Sequence, residues 1–295
     1  MDRERDIFVI SDLHIGDGGP RDNFAQGKDR QRELDGFLDY VEKENGELIL
    51  LGDLFEFWQA SLSKVIVGHL RLMERLEHMG AVYALGNHDV DLKEFMGTGL
   101  VQWPLLGRMT GPFERRIGGR NFRFMHGHEV DPYNCGDKPG WGRLLAIFAG
   151  IYEDRVGSPM MPSGEAVENA LEEFGQRVVG LWNWLVKWFR VVSFRGSSPD
   201  PKKELPPSQN PARIEEMVEL YWKDKCRRNY DVAIVGHTHQ PGRIGSWYYN
   251  SGCWVQQDNT LVRIRPDGTA GVFSWKQGQP EPNETVLPGP GGDTA

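Results

Sequence analysis

The chain has 295 residues, 39 % of them hydrophobic and 26 % charged, with a formal charge of -8 at pH 7. Such a composition supplies a real core and fills one enlarged domain, which excludes wholesale disorder. The negative charge, with no dense Lys/Arg stripe to override it locally, argues against polymeric nucleic acid as a partner.

Ile7 to Ser11 reads as a short buried strand, and Arg30 to Glu44 as a helix through Leu34, Phe37, Leu38 and Val41, stopped at Gly46. The pattern repeats with a strand at Leu48 to Leu51, a helix over Leu62 to Met79 and a strand at Ala81 to Leu85. Alternation of this kind predicts a largely parallel sheet. Asp91 to Phe95 is a short helix candidate, and Phe113 to Ile117 with Asn121 to Met125 flank Gly118 and Gly119 as a hairpin. From about residue 139 to 228 the rhythm changes to helical patterns over Gly142 to Tyr152, Gly164 to Phe194 and Ala212 to Arg227, with a Pro-rich stretch between the last two. The segment reads as an inserted helical cap. Strand patterns resume at Asp231 to Val235, Trp247 to Tyr249, Leu261 to Arg265 and Val272 to Trp275. The expected organisation is a main domain over 1–275, the cap 139–228 within it, and a disordered Pro/Gly-rich tail at 276–295.

Three cysteines, Cys135, Cys226 and Cys253, without CxxC spacing, fit a reducing compartment. The charged start, Met1 to Asp6, runs straight into a strand and leaves no room for a signal peptide. Nothing reaches the roughly 18 apolar residues of a membrane span. A cytoplasmic protein is expected, at most membrane-peripheral.

Five segments share one arrangement, an apolar strand running into a turn that holds Asp, Asn or His: Ser11-Asp12-Leu13-His14, Gly52-Asp53, Gly86-Asn87-His88-Asp89, His126-Gly127-His128 and Gly236-His237-Thr238-His239. Loops beyond the carboxyl ends of neighbouring strands line one crevice, so these side chains can converge. Taken singly each is ordinary, since Asp caps turns and Asn needs no metal; together they are hard to explain as turns. The adjacent glycines allow sharp turns and leave room for a substrate phosphate. Carboxylate, amide and imidazole donors suit manganese, iron or zinc better than magnesium, and the lack of thiolates argues against a structural zinc. Two divalent ions held by Asp12 and Asp53 as the charged ligands would leave a surplus of about +2, which attracts an anionic phosphate. His69 and His78 fall on a helix and read as packing or surface residues.

In this order the motifs DxH, GD, GNHD, HGH and GHTH resemble the calcineurin-like metallophosphoesterases, from Asp12 to His239. The resemblance implies a four-layer α/β/β/α sandwich with two mixed sheets and a dinuclear metal centre. It places Asp12, His14 and His239 on one ion, Asn87, His126 and His237 on the other, and Asp53 between them, with manganese the first choice of metal. A metal-bridging hydroxide would hydrolyse a phosphate monoester, diester or pyrophosphate. His88 would stabilise or protonate the substrate oxygens, oriented by Glu56 or, as second choice, Asp89. The role of His128 is open.

Gly52 to Trp58 resembles the second motif of bacterial UDP-2,3-diacylglucosamine pyrophosphatases, although those carry Arg in place of His88 and an acid in place of His128. Trp182, Trp184, Leu185, Trp188 and Phe189 make the helix over residues 181–192 apolar on nearly every side. It reads first as a core helix of the cap and second as a lipid or peripheral-membrane contact. The implied partner is a phosphorylated small molecule or lipid. A catalytically silent binding scaffold on the same fold is the rival from another class.

Overall fold

The computed structural model describes residues 5–19, 22–27, 29–95, 108–131, 211–255 and 259–290. The expected cap up to residue 210, including Trp182, Trp184, Leu185, Trp188 and Phe189, lies outside them. In chain order the elements are β1 (Ile7–Ile10), α1 (Asn23–Gln26), α2 (Arg30–Lys43), β2 (Glu47–Leu51), α3 (Leu62–Gly68), α4 (Leu70–His78) and β3 (Val82–Ala84). A 3-10 turn at Val90–Phe95 follows, then β4 (Met109–Thr110), β5 (Phe113–Ile117) and β6 (Arg120–Phe124). The last stretch holds α5 (Pro211–Arg228), β7 (Val232–Val235), β8 (Gly242–Ile244), β9 (Tyr248–Asn250), β10 (Thr260–Ile264), β11 (Ala270–Lys276) and β12 (Gln279–Pro282).

All four residues of β1 are buried. Because successive side chains leave a strand on opposite faces, both faces of this strand must be covered. Phe8 and Ile10, with Leu48 and Leu50 of β2, meet Leu34, Phe37, Leu38 and Val41 of α2. Ile7, Val9, Ile49 and Leu51 turn the other way and meet Phe122, Phe124, Val232 and Ile234 of β6 and β7. The far face of β7, Ala233 and Val235, is covered by Met217, Val218 and Tyr221 of α5. The layers therefore run helix, sheet, sheet, helix, as expected. Each fully buried Leu, Ile, Val or Phe contributes about 1.5–3 kcal/mol, so the three clusters outweigh any local propensity.

One sheet has the order β12-β11-β10-β1-β2-β3-β4 and the other β5-β6-β7-β9-β8. β1 to β4 are parallel, with β10 antiparallel beside β1. In the second sheet β6, β7 and β9 are parallel and β5 and β8 are antiparallel edges. Both sheets are mixed, and the β5–β6 hairpin turns on Gly118 and Gly119, both at positive φ.

Three boundaries differ from the sequence reading. The helix expected over Leu62 to Met79 breaks at His69, whose φ of -119° and ψ of 22° are non-helical and whose ring Nε2 donates to Gly16 O, 2.9 Å away. Gly68 weakens the helix at that point. Ala212 to Arg227, assigned to the cap, is instead α5, the outer layer on the second sheet. The tail expected to be disordered is ordered to residue 290: β12 pairs antiparallel with β11 from Phe273↔Pro282 to Lys276↔Gln279, and Leu287 is buried against Ile244 and Tyr248. Pro and Gly frequency argued for disorder, and an open sheet edge with an apolar seat outweighed it. No helix of the described residues is long and apolar enough to cross a membrane.

Candidate metal centre

Each motif begins where a strand ends. β1 ends at Ile10 before Asp12 and His14, β2 at Leu51 before Asp53, and β3 at Ala84 before Asn87 and His88. In the facing sheet β6 ends at Phe124 before His126, and β7 at Val235 before His237 and His239. The backbone turns abruptly there: Asp12, His14, Asp53, His237 and His239 all have φ between 47° and 65°. Left-handed backbone is costly for a side-chain-bearing residue and clusters at functional sites. Glycines make the crowding tolerable. A Cβ on Gly52 would lie 2.4 Å from His126 Nδ1, and one on Gly86 would lie 2.1 Å from Asp53 Oδ1. The space beside the motifs is thus taken by other motif side chains, and by Tyr221 at Gly127, rather than kept for a phosphate.

Six of the seven expected ligand side chains come together. Asp12, His14 and His239 form one group with ligand atoms mutually within 4.8 Å, Asp53, His126 and His237 a second, and His14, Asp53 and His88 a third. His14 Nε2 and His239 Nε2 face each other at 3.2 Å. Asp12 Oδ1 lies 3.2 Å from His239 Nε2 and 3.9 Å from His126 Nε2. Asp53 Oδ2 lies 3.2 Å from His126 Nε2 and 3.8 Å from His14 Nε2, so one oxygen stands between the first and second groups.

The remaining atoms of these residues are fixed from behind. Asp12 Oδ2 accepts from Ser11 Oγ and, at 3.0 Å, from His237 N. Asp53 Oδ1 accepts from His88 N at 2.8 Å. His126 Nδ1 donates to Leu51 O at 2.8 Å, so that Nε2 is the nitrogen that would carry the lone pair once the ring is neutral. Asp12 Oδ1, Asn87 Oδ1 and His126 Nε2 are buried with no hydrogen-bond partner among the described residues. An unpaired buried polar atom costs about 1–3 kcal/mol, and two of them, Asp12 Oδ1 and His126 Nε2, lie 3.9 Å apart, oxygen and nitrogen donors that fit a divalent cation.

Charge tells the same story. Burial opposes ionisation of Asp12, yet His126 and His239 hold its carboxyl down at about 2. Burial pulls His126 down, yet Asp53 and Asp12 hold it up at about 10. Burial likewise opposes charge on His239, and Asp12 raises it well above the usual histidine range. Protons on these rings stand in for positive charge that the carboxylates demand.

His88 lies beside this cluster with Nδ1 2.7 Å from Glu56 Oε2, and its ring stacks on Trp58 at 3.7 Å between centroids. Glu56 Oε2 is also 3.2 Å from His14 Nδ1, and Oε1 accepts from Trp58 N at 2.9 Å. Glu56 is therefore the partner of His88. Asp89 is not: its Oδ2 accepts from Leu54 N and Tyr83 OH and its Oδ1 from Gly86 N. Burial, together with Asp53, pushes Asp89 up to about 6, and its place is as a brace for the loops after β2 and β3. His128 belongs to none of the three groups. Burial pulls it down to about 4 against the Glu129 carboxylate, so the ring is neutral.

Sequence reasoning missed three supports. Asp131 Oδ2 lies 2.8 Å from His237 Nε2. Asn250 Nδ2 donates to Gly236 O and Thr238 Oγ1, and Ser251 Oγ bonds Ser11 Oγ at 2.7 Å. Their signal was a sixth strand end carrying small polar residues, Asn250-Ser251-Gly252, and an Asp five residues past His126. Because Glu56 and Asp131 are buried carboxylates beside the cluster, the positive surplus with two bound ions is smaller than the +2 reckoned from ligands alone.

The family model for Calcineurin-like phosphoesterase matches residues 6–261. Among solved structures, Vacuolar Protein Sorting 29 from Cryptosporidium parvum is similar at 14 % identity and a TM-score of 0.40, covering 95 % of this chain and 96 % of that one. A conserved uncharacterized protein (predicted phosphoesterase) from Streptococcus pneumoniae TIGR4 is similar at 11 % identity and a TM-score of 0.36, covering 97 % of each chain. No curated protein matches the chain.

Proposed function

The chain belongs to the calcineurin-like phosphoesterase family, and on that premise we propose that its Asp, Asn and His cluster binds two divalent cations and hydrolyses a phosphate monoester, diester or pyrophosphate. The observation that carries the reading is the convergence of Asp12, His14, Asp53, His126, His237 and His239 at four strand ends, with Asp12 Oδ1 and His126 Nε2 buried and without a hydrogen-bond partner among the described residues. Asp12, His14 and His239 would hold one ion and Asn87, His126 and His237 the other, with Asp53 shared. Bound ions of this kind supply a Lewis acid for phosphoryl oxygens and a water activated at neutral pH. Manganese is the first choice for the mixed donor set, with iron or zinc next.

The chain's own residues would position and protonate. Glu56 holds His88 Nδ1 and Trp58 holds the ring plane, which would leave Nε2 to pass a proton to the leaving oxygen. The cap, which lies outside the described residues, would select a phosphorylated small molecule or lipid, and its aromatic helix could contact a membrane surface. A second reading, hydrolysis of a UDP-2,3-diacylglucosamine-like lipid, is favoured by the Gly52 to Trp58 segment, in which Glu56 and Trp58 both engage His88. His88 where those enzymes have Arg counts against it, since a titratable ring replaces a permanent cation. A silent scaffold is disfavoured because every ligand position is filled.

Asp53→Ala and Asn87→Ala should each lower manganese-dependent hydrolysis of aryl phosphate esters and diesters by more than 10²-fold, with bound metal reduced. Activity within a few-fold of wild type in either variant refutes the assignment. His88→Ala should lower turnover by roughly 10²-fold or more with both ions retained.

A further inference from the structure

The loop after β6 carries a carboxylate that the reading above does not use. Gly127 N is held by Glu129 Oε2 at 2.7 Å, and a tight turn closes with Val130 N to Gly127 O at 3.3 Å and Asp131 N to His128 O at 3.1 Å. The turn swings Asp131, 0 % exposed, back toward β7, where its Oδ2 meets His237 Nε2 at 2.8 Å. His237 is also pinned at its backbone, N donating to Asp12 Oδ2 at 3.0 Å. A carboxylate can only accept, so a proton on Nε2 satisfies this contact and Nδ1 is left bare.

We propose that Asp131 is a positioning residue that fixes His237 in the tautomer with a free Nδ1 and so completes the second cation's ligand set. This role rests on the dinuclear reading. The chemistry of the contact makes an unusual demand. An amide at position 131 can rotate to present its NH2 to Nε2, which moves the ring proton to Nδ1 and blocks the cation. A methyl group there leaves the ring free to choose. Asp131→Asn, the closer isostere, should therefore harm the centre more than Asp131→Ala, the reverse of the order expected for a packing role.

The test uses the full-length chain, stripped of metal and titrated with manganese, with bound equivalents counted and the coupled-pair signal followed by electron paramagnetic resonance. Wild type should take two equivalents. Asp131→Asn should keep one and bind the second about 10- to 100-fold more weakly, with a smaller loss in Asp131→Ala. Two equivalents at unchanged affinity in Asp131→Asn, or a larger loss in Asp131→Ala, overturns the proposal. Nitrogen-15 histidine spectra of metal-free wild type give a check that needs no variant to fold: a protonated Nε2 on His237 is expected, and a protonated Nδ1 overturns it. Fewer than two equivalents in wild type would instead sink the dinuclear reading itself.

Discussion

Glu56→Gln is the sharpest perturbation of the chemistry because one oxygen serves two rings. Glu56 Oε2 accepts from His88 Nδ1 at 2.7 Å and lies 3.2 Å from His14 Nδ1, while Oε1 accepts from Trp58 N at 2.9 Å. Burial alone would push Glu56 up, but His88 and His14 hold it at about 2, so it is ionised across any working pH. Glutamine keeps the shape and turns one acceptor into a donor. If its NH2 faces the rings, donors oppose donors; if it faces Trp58 N, the same conflict arises there. The loss of one hydrogen bond to a charged group is about 1.5–3 kcal/mol, which at 1.36 kcal/mol per tenfold corresponds to roughly 10- to 100-fold in kcat/KM. The pH profile is the finer test. Burial lowers the pKa of His88, yet Asp53 and then Glu56 hold it raised, so removing the Glu56 charge lowers it. If protonated His88 is the working form, activity falls as pH rises through its pKa, and the alkaline limb of kcat/KM moves to lower pH in the variant. The assay is aryl phosphate ester hydrolysis at saturating manganese, with metal content measured because His14 also loses its partner. An unchanged rate with an unmoved alkaline limb would refute the assignment of His88 and Glu56.

Gly86→Ala places a Cβ 2.1 Å from Asp53 Oδ1 and should cost about 1–3 kcal/mol with loss of bound metal, whereas Gly111→Ala meets nothing within 4 Å and should stay within about 0.5 kcal/mol; thermal melts and metal analysis separate them. Metal-free His126 holds its proton up to about 10, so manganese binding below that pH must expel it, and apparent affinity should rise about tenfold per pH unit for that proton. Calorimetry in buffers of different ionisation heat measures the count, and zero protons released at pH 7 would refute the displacement of a ring proton from His126. Truncation after Lys276 removes β12 and the buried Leu287; it should cost at least the 2–5 kcal/mol of a Leu truncation and open the β11 edge to association seen by light scattering. An unchanged melting temperature would show that the tail does not pack.

The strands and the Asp/His cluster were legible for the same reason. Ile7 to Ile10 and Val232 to Val235 are continuous apolar runs ended by polar turns, and both the run and its ending residues are local signals. Asp12, Asp53, Asn87, His126, His237 and His239 could be named because each follows such a run directly. What sequence could not show is pairing across distance. That Glu56 rather than Asp89 meets His88 depends on how the turns after β2 and β3 fold against one another, and Asp89 was claimed by Leu54 N, Gly86 N and Tyr83 OH. Asp131 escaped notice because its partner His237 lies 106 positions away. Helix α5 and strand β12 were misassigned because composition reports propensity, and both are held by tertiary seats, α5 on β7 and Leu287 against Ile244.

Five side chains at the centre sit in left-handed backbone, at Asp12, His14, Asp53, His237 and His239. Such a conformation costs of order 1–3 kcal/mol at each non-glycine residue, so together they forfeit an amount comparable with the whole net stability of an ordinary domain. Only a rigid sandwich, with strands buried on both faces, can impose it. Glycine at His239 or Asp12 should therefore make a sturdier protein and an inert one. Selection for heat resistance alone would erode this centre first, and a thermostabilised descendant that kept all five side chains would show that catalytic demand, rather than folding, maintains them.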